Sequence, residues 1–522
     1  MLFGRFELRA LFILPFAILP ACDSGSSAGG AGGSLGAAGS TAPGGGAGGS
    51  LSSQGGAGAT GVAGTGGVAA GGTSAAAGSA GVANTGGAPN GGAPTSAIGS
   101  GPLIDTHLFG QNYWGEQDTE ALWPVVQASG VTLIRFGGAG ADDEQPSNQR
   151  FADVAAAIRK IGAEPYLQVS RHFDAARAKQ VVDFVNNQQQ AHVLYWSINN
   201  EPDIGANEPM MSVADSATLV TSLASAMKEA DPTILIFAPE LAYYDEAYLG
   251  PMLGGASDIT GKDANGRYFI DGVSFHGYPF GATYTRDQAV GAAAGFRGSV
   301  GKLLTALGQA NQKNGRSGAT ALKWALTEFN MTYQNPADNS VDSFGVNSFL
   351  NGQFFAEIFG IGMANGAVTV APWSIHESNG NRGPTDLGFL DGPTASATPR
   401  SSYYHLQFVA QNFAGRYAPS ISSEPLLRVV AAGDGSHVSA LLLNESLDQN
   451  YEFGIRLDNG KLTQPKSVSI AVDAATPTEY SSTVPAQSSL LLVFNAAGTL
   501  TKRVKYAIAD ARTSSAPRSI TP

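Results

Sequence analysis

The sequence predicts an α/β chain, a (β/α)8 TIM barrel followed by a small C-terminal β-sandwich. Three observations lead there. From residue 103 to residue 373, eight short apolar runs alternate with helical patterns. After residue 415 the helical patterns stop, and strand-like runs follow one another across turn signals. Before residue 101 the chain has no material for a core. Residues 24–100 hold 28 of the 68 glycines and no Asp, Glu, Lys, Arg, Phe, Trp or Tyr. Such a segment cannot offset its ordering entropy by apolar burial. The folded part is therefore 101–522, room for a barrel of about 250–300 residues and a smaller domain.

Composition removes several classes. The chain of 522 residues has one cysteine, Cys22, which excludes an internal disulfide framework and any Cys-based zinc or iron–sulfur site. A net charge of −12 argues against a duplex nucleic-acid partner, which would need a basic face. After the N-terminus there is no apolar run long enough to cross a bilayer.

In chain order, residues 1–22 come first. Arg5 and Arg9 precede an apolar stretch from Ala10 to Ala21 that is too short to span a membrane, the shape of a secretory signal. Its end, Leu19-Pro20-Ala21-Cys22, resembles a bacterial lipobox. The resemblance implies cleavage before Cys22 and lipidation of its thiol, and more than one acyl chain anchors stably. Residues 23–100 read as a disordered Gly/Ala/Ser-rich linker, with a reach of roughly 50 Å. The expected location is across the inner membrane, lipid-anchored to a bacterial membrane, in the periplasm or at the cell surface.

Residues 101–415 carry the barrel pattern. The expected strands are Leu103–Phe109, Val131–Phe136, Glu164–Val169, Leu194–Ile198, Thr233–Ala238, Gly272–Phe275, Leu322–Thr327 and Ala367–Trp373. Helical patterns at 151–161, 175–187 and 213–230 lie between them, the last punctuated by Asp231-Pro232. Strand–helix alternation implies right-handed parallel units. A doubly wound sheet would want a glycine-rich phosphate loop after the first strand, and Phe109-Gly110-Gln111-Asn112 is not one. The sandwich occupies 416–500, with strands expected at Leu426–Ala431, His437–Leu443, Tyr451–Leu457, Ser467–Val472 and Ser488–Phe494. The polar, partly basic segment 501–522 is assigned no structure.

In such a barrel the chemistry sits at the C-terminal strand ends. The fourth run is followed by Asn199-Asn200-Glu201-Pro202 and the seventh by Glu328-Phe329-Asn330. Two carboxyls facing across one mouth can divide roles, one ionised to attack and one protonated to donate. That is the requirement for retaining glycoside hydrolysis. Asn-Glu-Pro recurs at 207–209, but there it follows the loop-like Ile204-Gly205-Ala206, so position selects Glu201. Other strand ends supply supporting groups. Arg135 is placed to hold the strand-7 carboxylate ionised. His276 and Tyr278 end strand 6, and Trp373 ends strand 8 as an apolar platform, with Trp114 a lesser one. Each also has a structural reading, as a rim salt bridge, a satisfied histidine or core packing. Glu240 and His376-Glu377 read as rim groups that contact hydroxyls or are solvated, and Asp142-Asp143-Glu144 as a solvated loop.

These residues resemble the clan A glycoside hydrolases, in which an Asn-Glu pair ends strand 4 and a Glu ends strand 7. The resemblance covers roughly 101–500. It implies Glu201 as acid/base, Glu328 as nucleophile and Asn200 as partner of the substrate 2-hydroxyl. It also implies that the His or Tyr ending strand 6 touches the nucleophile or the sugar. Thr327-Glu328-Phe329-Asn330, the helix that follows and the trailing sandwich look most like family 44 endoglucanases. Arg135-Phe136-Gly137-Gly138 and Asn200-Glu201-Pro202-Asp203 also resemble the heparanase-like family 79.

The expected activity is that of a retaining, endo-β-glucanase-like hydrolase acting on a polysaccharide or oligosaccharide, with no cofactor and no metal. Two alternatives stay open. One is an exo-acting β-glucuronidase or xylosidase, for which Arg171-His172 would supply a carboxylate site. The other is a carbohydrate-binding lipoprotein without catalysis. A solute-binding lipoprotein fits less well, because its two-lobed fold would not place acids at strands 4 and 7. Nothing in the sequence sets the oligomeric state.

Overall fold

The computed structural model describes residues 101–115, 117–205, 209–377, 385–457, 467–472 and 478–522. The signal and lipobox with Cys22, the linker, and Asn207 and Glu208 of the second Asn-Glu-Pro copy lie outside the described residues.

Seven strands pair in parallel and in sequence order. They are β1 (Gly110–Tyr113), β2 (Leu133–Phe136), β3 (Glu164–Val169), β4 (Tyr195–Ile198), β5 (Leu235–Phe237), β6 (Gly272–Gly277) and β7 (Lys323–Phe329). Residues 368–371 take the eighth place. Val370 bridges Phe109 on one side and Leu326 on the other. Val370 N donates to Leu108 O at 2.9 Å, and Ala371 N to Leu326 O at 2.8 Å, which closes the barrel. The first strand starts later than the run Leu103–Phe109 suggests. A turn at Asp105 ends that run (Leu108 N to Asp105 O, 3.1 Å), and Leu103 pairs with Arg416 instead.

The helices around the barrel are α1 (Trp123–Ser129), α2 (Ala139–Glu144), α3 (Asn148–Lys160), α4 (Ala175–Val182), α5 (Val213–Ala230), α6 (Glu246–Met252), α7 (Arg286–Lys313), α8 (Phe349–Ala364) and α9 (Ser401–Asn412). Their starts are written in side chains that take an orphan N–H. Ser147, Asp174, Ser212 and Ser348 cap α3, α4, α5 and α8, and Thr285 with Gln288 forms a capping box on α7. Helix α8 is mostly apolar and buried from Phe349 to Met363, with Asn351, Gln353 and Glu357 as its polar residues, as suits a helix enclosed on every side. Its Phe355 and Phe359 pack on Phe329 of β7, while Gly360 lets Val430 approach from the sandwich.

Inside the barrel the strand alternation stacks two kinds of layer. Leu133, Tyr166, Tyr195, Phe237, Ala325 and Val368 form a closed apolar plug. Two residues further along, β2, β3, β4 and β7 carry Arg135, Gln168, Ser197 and Thr327, all fully buried. A dry floor thus supports a polar layer that opens toward the C-terminal strand ends.

The sandwich strands are β8 (Arg416–Tyr417), β9 (Ser420–Ser422), β10 (Leu427–Gly433), β11 (His437–Asn444), β12 (Tyr451–Leu457), β13 (Val468–Ile470), β14 (Glu479–Val484), β15 (Ser488–Asn495), β16 (Leu500–Ala507) and β17 (Arg518–Ser519). They form a six-stranded sheet, order β17-β16-β15-β11-β10-β8, and a four-stranded one, order β14-β12-β13-β9. The unbroken apolar run Leu490–Phe494 follows from burial on both faces. Leu490, Leu492 and Phe494 point into the sandwich core, and Leu491 and Val493 into the barrel-side core. Strand β16 and a short helix, α10 (Ile508–Arg512), lie in the segment to which the sequence assigned no structure. Lys502, Arg503 and Lys505 hide the alternation of Val504 and Tyr506, which are the buried residues there.

Glu445, just after β11, is buried near Glu357 of α8, with Arg428 of β10 at 3.3 Å from the first and 3.9 Å from the second. Burial and the neighbouring carboxylate push the Glu445 carboxyl well above its ordinary range, against the pull of Arg428. A carboxyl raised in the folded state costs nothing below its unfolded pKa, and its penalty grows as pH rises from there toward the folded value. Glu445→Gln should therefore raise the Tm at pH 7.5 and give no gain at pH 4. Equal shifts at both pH values, read by thermal unfolding of the two proteins side by side, would refute this.

Candidate functional site

The end of β4 is held in an unusual backbone shape. Asn199 and Glu201 have φ of 80° and 46°, and Glu240 after β5 has 59°, a region that side chains with a Cβ seldom enter. The neighbours enforce it. Arg171 donates from Nε to Asn199 Oδ1 at 3.0 Å and from Nη2 to Asn200 O at 2.7 Å. Glu201 N donates to Glu240 O at 2.8 Å, which ties the two strand ends together. Asp142 accepts from Arg171 N and from Gln168 Nε2, and burial pushes its carboxyl up to about 6.

These constraints deliver a knot of charge to the barrel mouth. Arg135, fully buried, donates from Nη1 to Glu328 Oε1 at 2.8 Å and to Asn112 Oδ1 at 3.0 Å. From Nη2 it donates to Gln168 Oε1 at 2.8 Å and Asn200 Oδ1 at 3.0 Å, and lies 3.0 Å from Glu240 Oε2. The other oxygen of Glu328, Oε2, accepts from the Tyr278 hydroxyl at 2.8 Å. His276 sits among three carboxylates. Its Nδ1 is 2.9 Å from Glu201 Oε1 and 3.7 Å from Glu328 Oε2, and its Nε2 is 3.3 Å from Glu240 Oε2. Tyr166 donates to Glu240 Oε1 at 2.8 Å.

The electrostatics follow. Burial opposes an imidazolium at His276, but Glu328, Glu201 and Glu240 outweigh it and hold its pKa up at about 10. Burial would raise Glu240, but Arg135, His276 and Tyr166 bring its carboxyl down to about 2. Burial beside Glu201 lifts Asp203 to about 6, although Ala242 N donates to it. Two cations thus face three carboxyls, and the knot is neutral when one carboxyl carries a proton. Glu201 is the most accessible of the three, with 19% of its side chain exposed against 8% for Glu328 and none for Glu240. One oxygen of Glu201 and one of Glu328 lie within 4.8 Å of each other.

The same two acids with His276 are the metal-like cluster found among the described residues. Both ring nitrogens of His276 are engaged by carboxylate oxygens, so the ring is disposed as a donor at both ends and offers no lone pair to a cation.

Every residue singled out from the described sequence lies at this mouth or beside it. Glu201, Glu328, Asn200, Arg135, His276 and Tyr278 are brought together. Asn200 gives its Oδ1 to Arg135, which leaves Nδ2 to donate. Trp373 is half-buried; its indole N–H donates to Glu377 Oε1 at 2.6 Å, and its ring lies against Gly138, where a Cβ would come within 2.6 Å. The half-buried Trp114 donates to His376 O at 3.0 Å.

Three expectations need correction. Glu240 is no solvated rim acid, because β5 turns it into the barrel and Arg135 and His276 neutralise it there. His376 and Glu377 are buried, the latter taking the Trp373 indole. In the acidic triplet Asp142 is buried, whereas Asp143 and Glu144 are exposed. Asn112, Tyr166 and Gln168 were missed. The signal was present: Tyr166 and Gln168 are polar residues two apart in a buried strand, which places both inside a barrel.

No protein-family model matches the chain and no curated protein matches it. Solved structures do. A family 51 α-L-arabinofuranosidase from Bifidobacterium longum matches with a TM-score of 0.55 at 15% identity, covering 76% of this chain and 97% of that one. A xyloglucanase of glycoside hydrolase family 44 from Paenibacillus polymyxa matches with 0.52 at 13% identity, covering 77% and 98%. A monomeric β-xylosidase from Caulobacter crescentus matches with 0.51 at 14% identity, covering 76% and 97%. At such identities the likeness is one of fold, and it extends over nearly the whole of each of those glycoside hydrolases.

Removing Arg135 would leave the buried cluster one positive charge short, with His276 as the only cation beside Glu240. Arg135→Met should cost about 3–5 kcal/mol in urea unfolding. Adding Glu240→Gln to that variant should restore part of the loss; no restoration would show that the charge pairing is not what Arg135 supplies.

Proposed function

We propose that the chain is a retaining O-glycoside hydrolase of polysaccharide or oligosaccharide, with Glu328 as nucleophile and Glu201 as acid/base. The observation that carries the reading is the Glu201–Glu328 approach within 4.8 Å at the ends of β4 and β7. Retaining enzymes keep their carboxyls about 5–5.5 Å apart, and inverting ones leave about 6.5–9.5 Å for a water.

The geometry supports each step. Arg135 and Tyr278 bond the two oxygens of Glu328, so the carboxylate is aimed at the anomeric carbon that it attacks. As that bond forms, the glycosidic C–O bond breaks, and the leaving oxygen takes the proton of Glu201. Asn200 Nδ2 is the donor for the sugar 2-hydroxyl. Water then gives a proton to Glu201 while its oxygen attacks the anomeric carbon, which releases the sugar and frees Glu328. The two carboxyls supply nucleophile and proton, so the cycle calls for no cofactor.

For the substrate we favour internal cleavage of a β-linked glucan backbone. The sequence resemblance to family 44 and the family 44 xyloglucanase of like fold support it. The β-xylosidase and the arabinofuranosidase of like fold keep exo action as the second reading. The uronidase variant loses its motive: Arg171 is committed to Asn199, Asn200 and Pro209 O, and its side chain is only 7% exposed.

Reducing-sugar release by 101–522 should appear on one member of a panel of β-glucan, xyloglucan, xylan, arabinan and a glucuronide polymer. Glu328→Gln should abolish it, and Glu201→Gln should lower it by about 10²–10⁴-fold. Release that survives both substitutions would overturn the assignment. Binding retained by all three proteins, with no release from any polymer, would favour the binding-only lipoprotein.

The N-terminal motif supports a lipid anchor at Cys22, with the linker holding the barrel off a bacterial membrane where large substrates reach it. Metabolic labelling with a fatty acid should mark the full chain and be lost in Cys22→Ser. Unlabelled wild-type chain would refute the anchor.

A further inference from the structure

Retaining hydrolysis asks a particular thing of the group beside the acid. Glu201 must keep its proton until the leaving oxygen takes it. Yet His276 Nδ1 lies 2.9 Å from Glu201 Oε1, as near as the leaving oxygen itself would come. A neutral imidazole with a lone pair on Nδ1 would be a better base than a glycosidic oxygen and would take that proton first. A histidine in this position is harmless to the acid only when Nδ1 already carries hydrogen.

We propose that Glu240 is a positioning residue that acts through His276. By accepting from Nε2 it keeps a hydrogen on each ring nitrogen, so the Glu201 proton has the leaving oxygen as its only destination. The role rests on the glycosidase reading above and goes beyond it, because Glu240 touches neither the sugar nor either reacting carboxyl through its side chain.

Several observations carry it. Glu240 is fully buried and carries all three of its side-chain partners with it: Tyr166 at 2.8 Å, Arg135 at 3.0 Å and His276 at 3.3 Å. Its backbone is held at φ 59°, and its carbonyl takes the N–H of Glu201 at 2.8 Å. The acid and the residue that guards its proton are thus set by one strained hinge between β4 and β5. The charges facing His276 come from every neighbouring strand end: Glu201 and Asp203 after β4, Glu240 after β5 and Glu328 on β7, with Arg135 on β2 behind two of them. Tyr278 and Tyr166 complete the shell, and burial keeps both phenols protonated. Glu201 and Glu328 both change charge or bonding during turnover. Glu240 does neither, so of the three carboxyls in contact with the ring it is the constant partner for the imidazolium.

The pH dependence has a definite sign. Without the Glu240 charge, His276 loses one of the carboxylates that hold it protonated, and its pKa falls back toward the ordinary value of about 6.5. Above that pH the ring is neutral and takes the acid's proton; below it the imidazolium returns and the acid works again.

The test uses Glu240→Gln and Glu240→Asp on two substrates. One is the natural polymer, whose leaving oxygen needs a proton. The other is a dinitrophenyl glycoside, whose leaving group does not. For Glu240→Gln at pH 8, kcat/KM should fall at least about tenfold further on the polymer than on the aryl glycoside, within the range of a general acid's contribution. The gap should close as pH drops below about 6, and Glu240→Asp should recover part of the polymer activity. Equal losses on both substrates at every pH would mean a merely structural residue and would overturn the proposal. A measurement on the unaltered protein guards against misfolded variants. Nitrogen-15 histidine NMR should show His276 with hydrogen on both ring nitrogens at pH 8, and a neutral tautomer there would overturn the proposal equally. Wild-type protein inactive on every glycoside would defeat the hydrolase reading, while the NMR result would still decide the state of His276.

Discussion

One buried guanidinium organises the mouth of this barrel. Arg135 takes acceptors from β1, from the ends of β3, β4 and β5, and from β7: Asn112, Gln168, Asn200, Glu240 and Glu328. A buried cation without such partners would cost several kcal/mol. Strand ends that contribute one acceptor each are therefore locked in mutual register, since slipping any of them by one residue would turn its polar group away from the axis. The planar fork matters here. Nη1 bonds Glu328 and Nη2 bonds Asn200, the neighbour of Glu201, so one side chain ties together the two strand ends that carry these carboxyls. A lysine could not bridge them with comparable geometry.

The arrangement stores strain. Asn199, Glu201 and Glu240 occupy left-handed backbone conformations, each costing on the order of 1–3 kcal/mol. The layer below supplies the offset. Leu133, Tyr166, Tyr195, Phe237, Ala325 and Val368 close the barrel axis with apolar surface, and α8 seals the outside of β7 against the sandwich. The sandwich serves the site at a distance. Its six-stranded sheet buries Leu441, Leu443, Leu491 and Val493 on the barrel-side core, so that core is dry on both sides of α8.

Much of this was legible in residue order. Strand period, helix caps and the position of two glutamates after apolar runs place the barrel, its mouth and both acids. Strand β3 matched residue for residue, because Glu164–Val169 is bounded by a glycine turn and by polar residues. The rest was hidden for physical reasons. Residues 368–371 close the barrel with backbone hydrogen bonds on both sides, but the run Ala367–Trp373 extends past them at both ends and so overstates the strand's length. Strand β16 carries three basic side chains that conceal its two buried residues. Glu240 shows the sharper limit: an acid at the end of β5 has the same one-letter code whether water or a guanidinium neutralises it. Only the inward positions of Arg135, Tyr166 and Gln168 distinguish the two, and they lie on other strands.

Fold alone does not carry the chemistry, because structures of like fold here include an arabinofuranosidase, a xyloglucanase and a xylosidase. What the barrel shares with them is a way of presenting strand ends. Within ion-pair distance, two cations, Arg135 and His276, face three carboxyls, so this inner cluster sits at neutrality with one proton on board and at a single negative charge without it, with Asp203 a further acid outside it. A step that moves one proton out and later takes one back therefore never departs far from balance inside a buried site, where imbalance is most costly. Glu240 is the member that makes the sum come out. It contributes a buried negative charge held between Arg135, His276 and Tyr166.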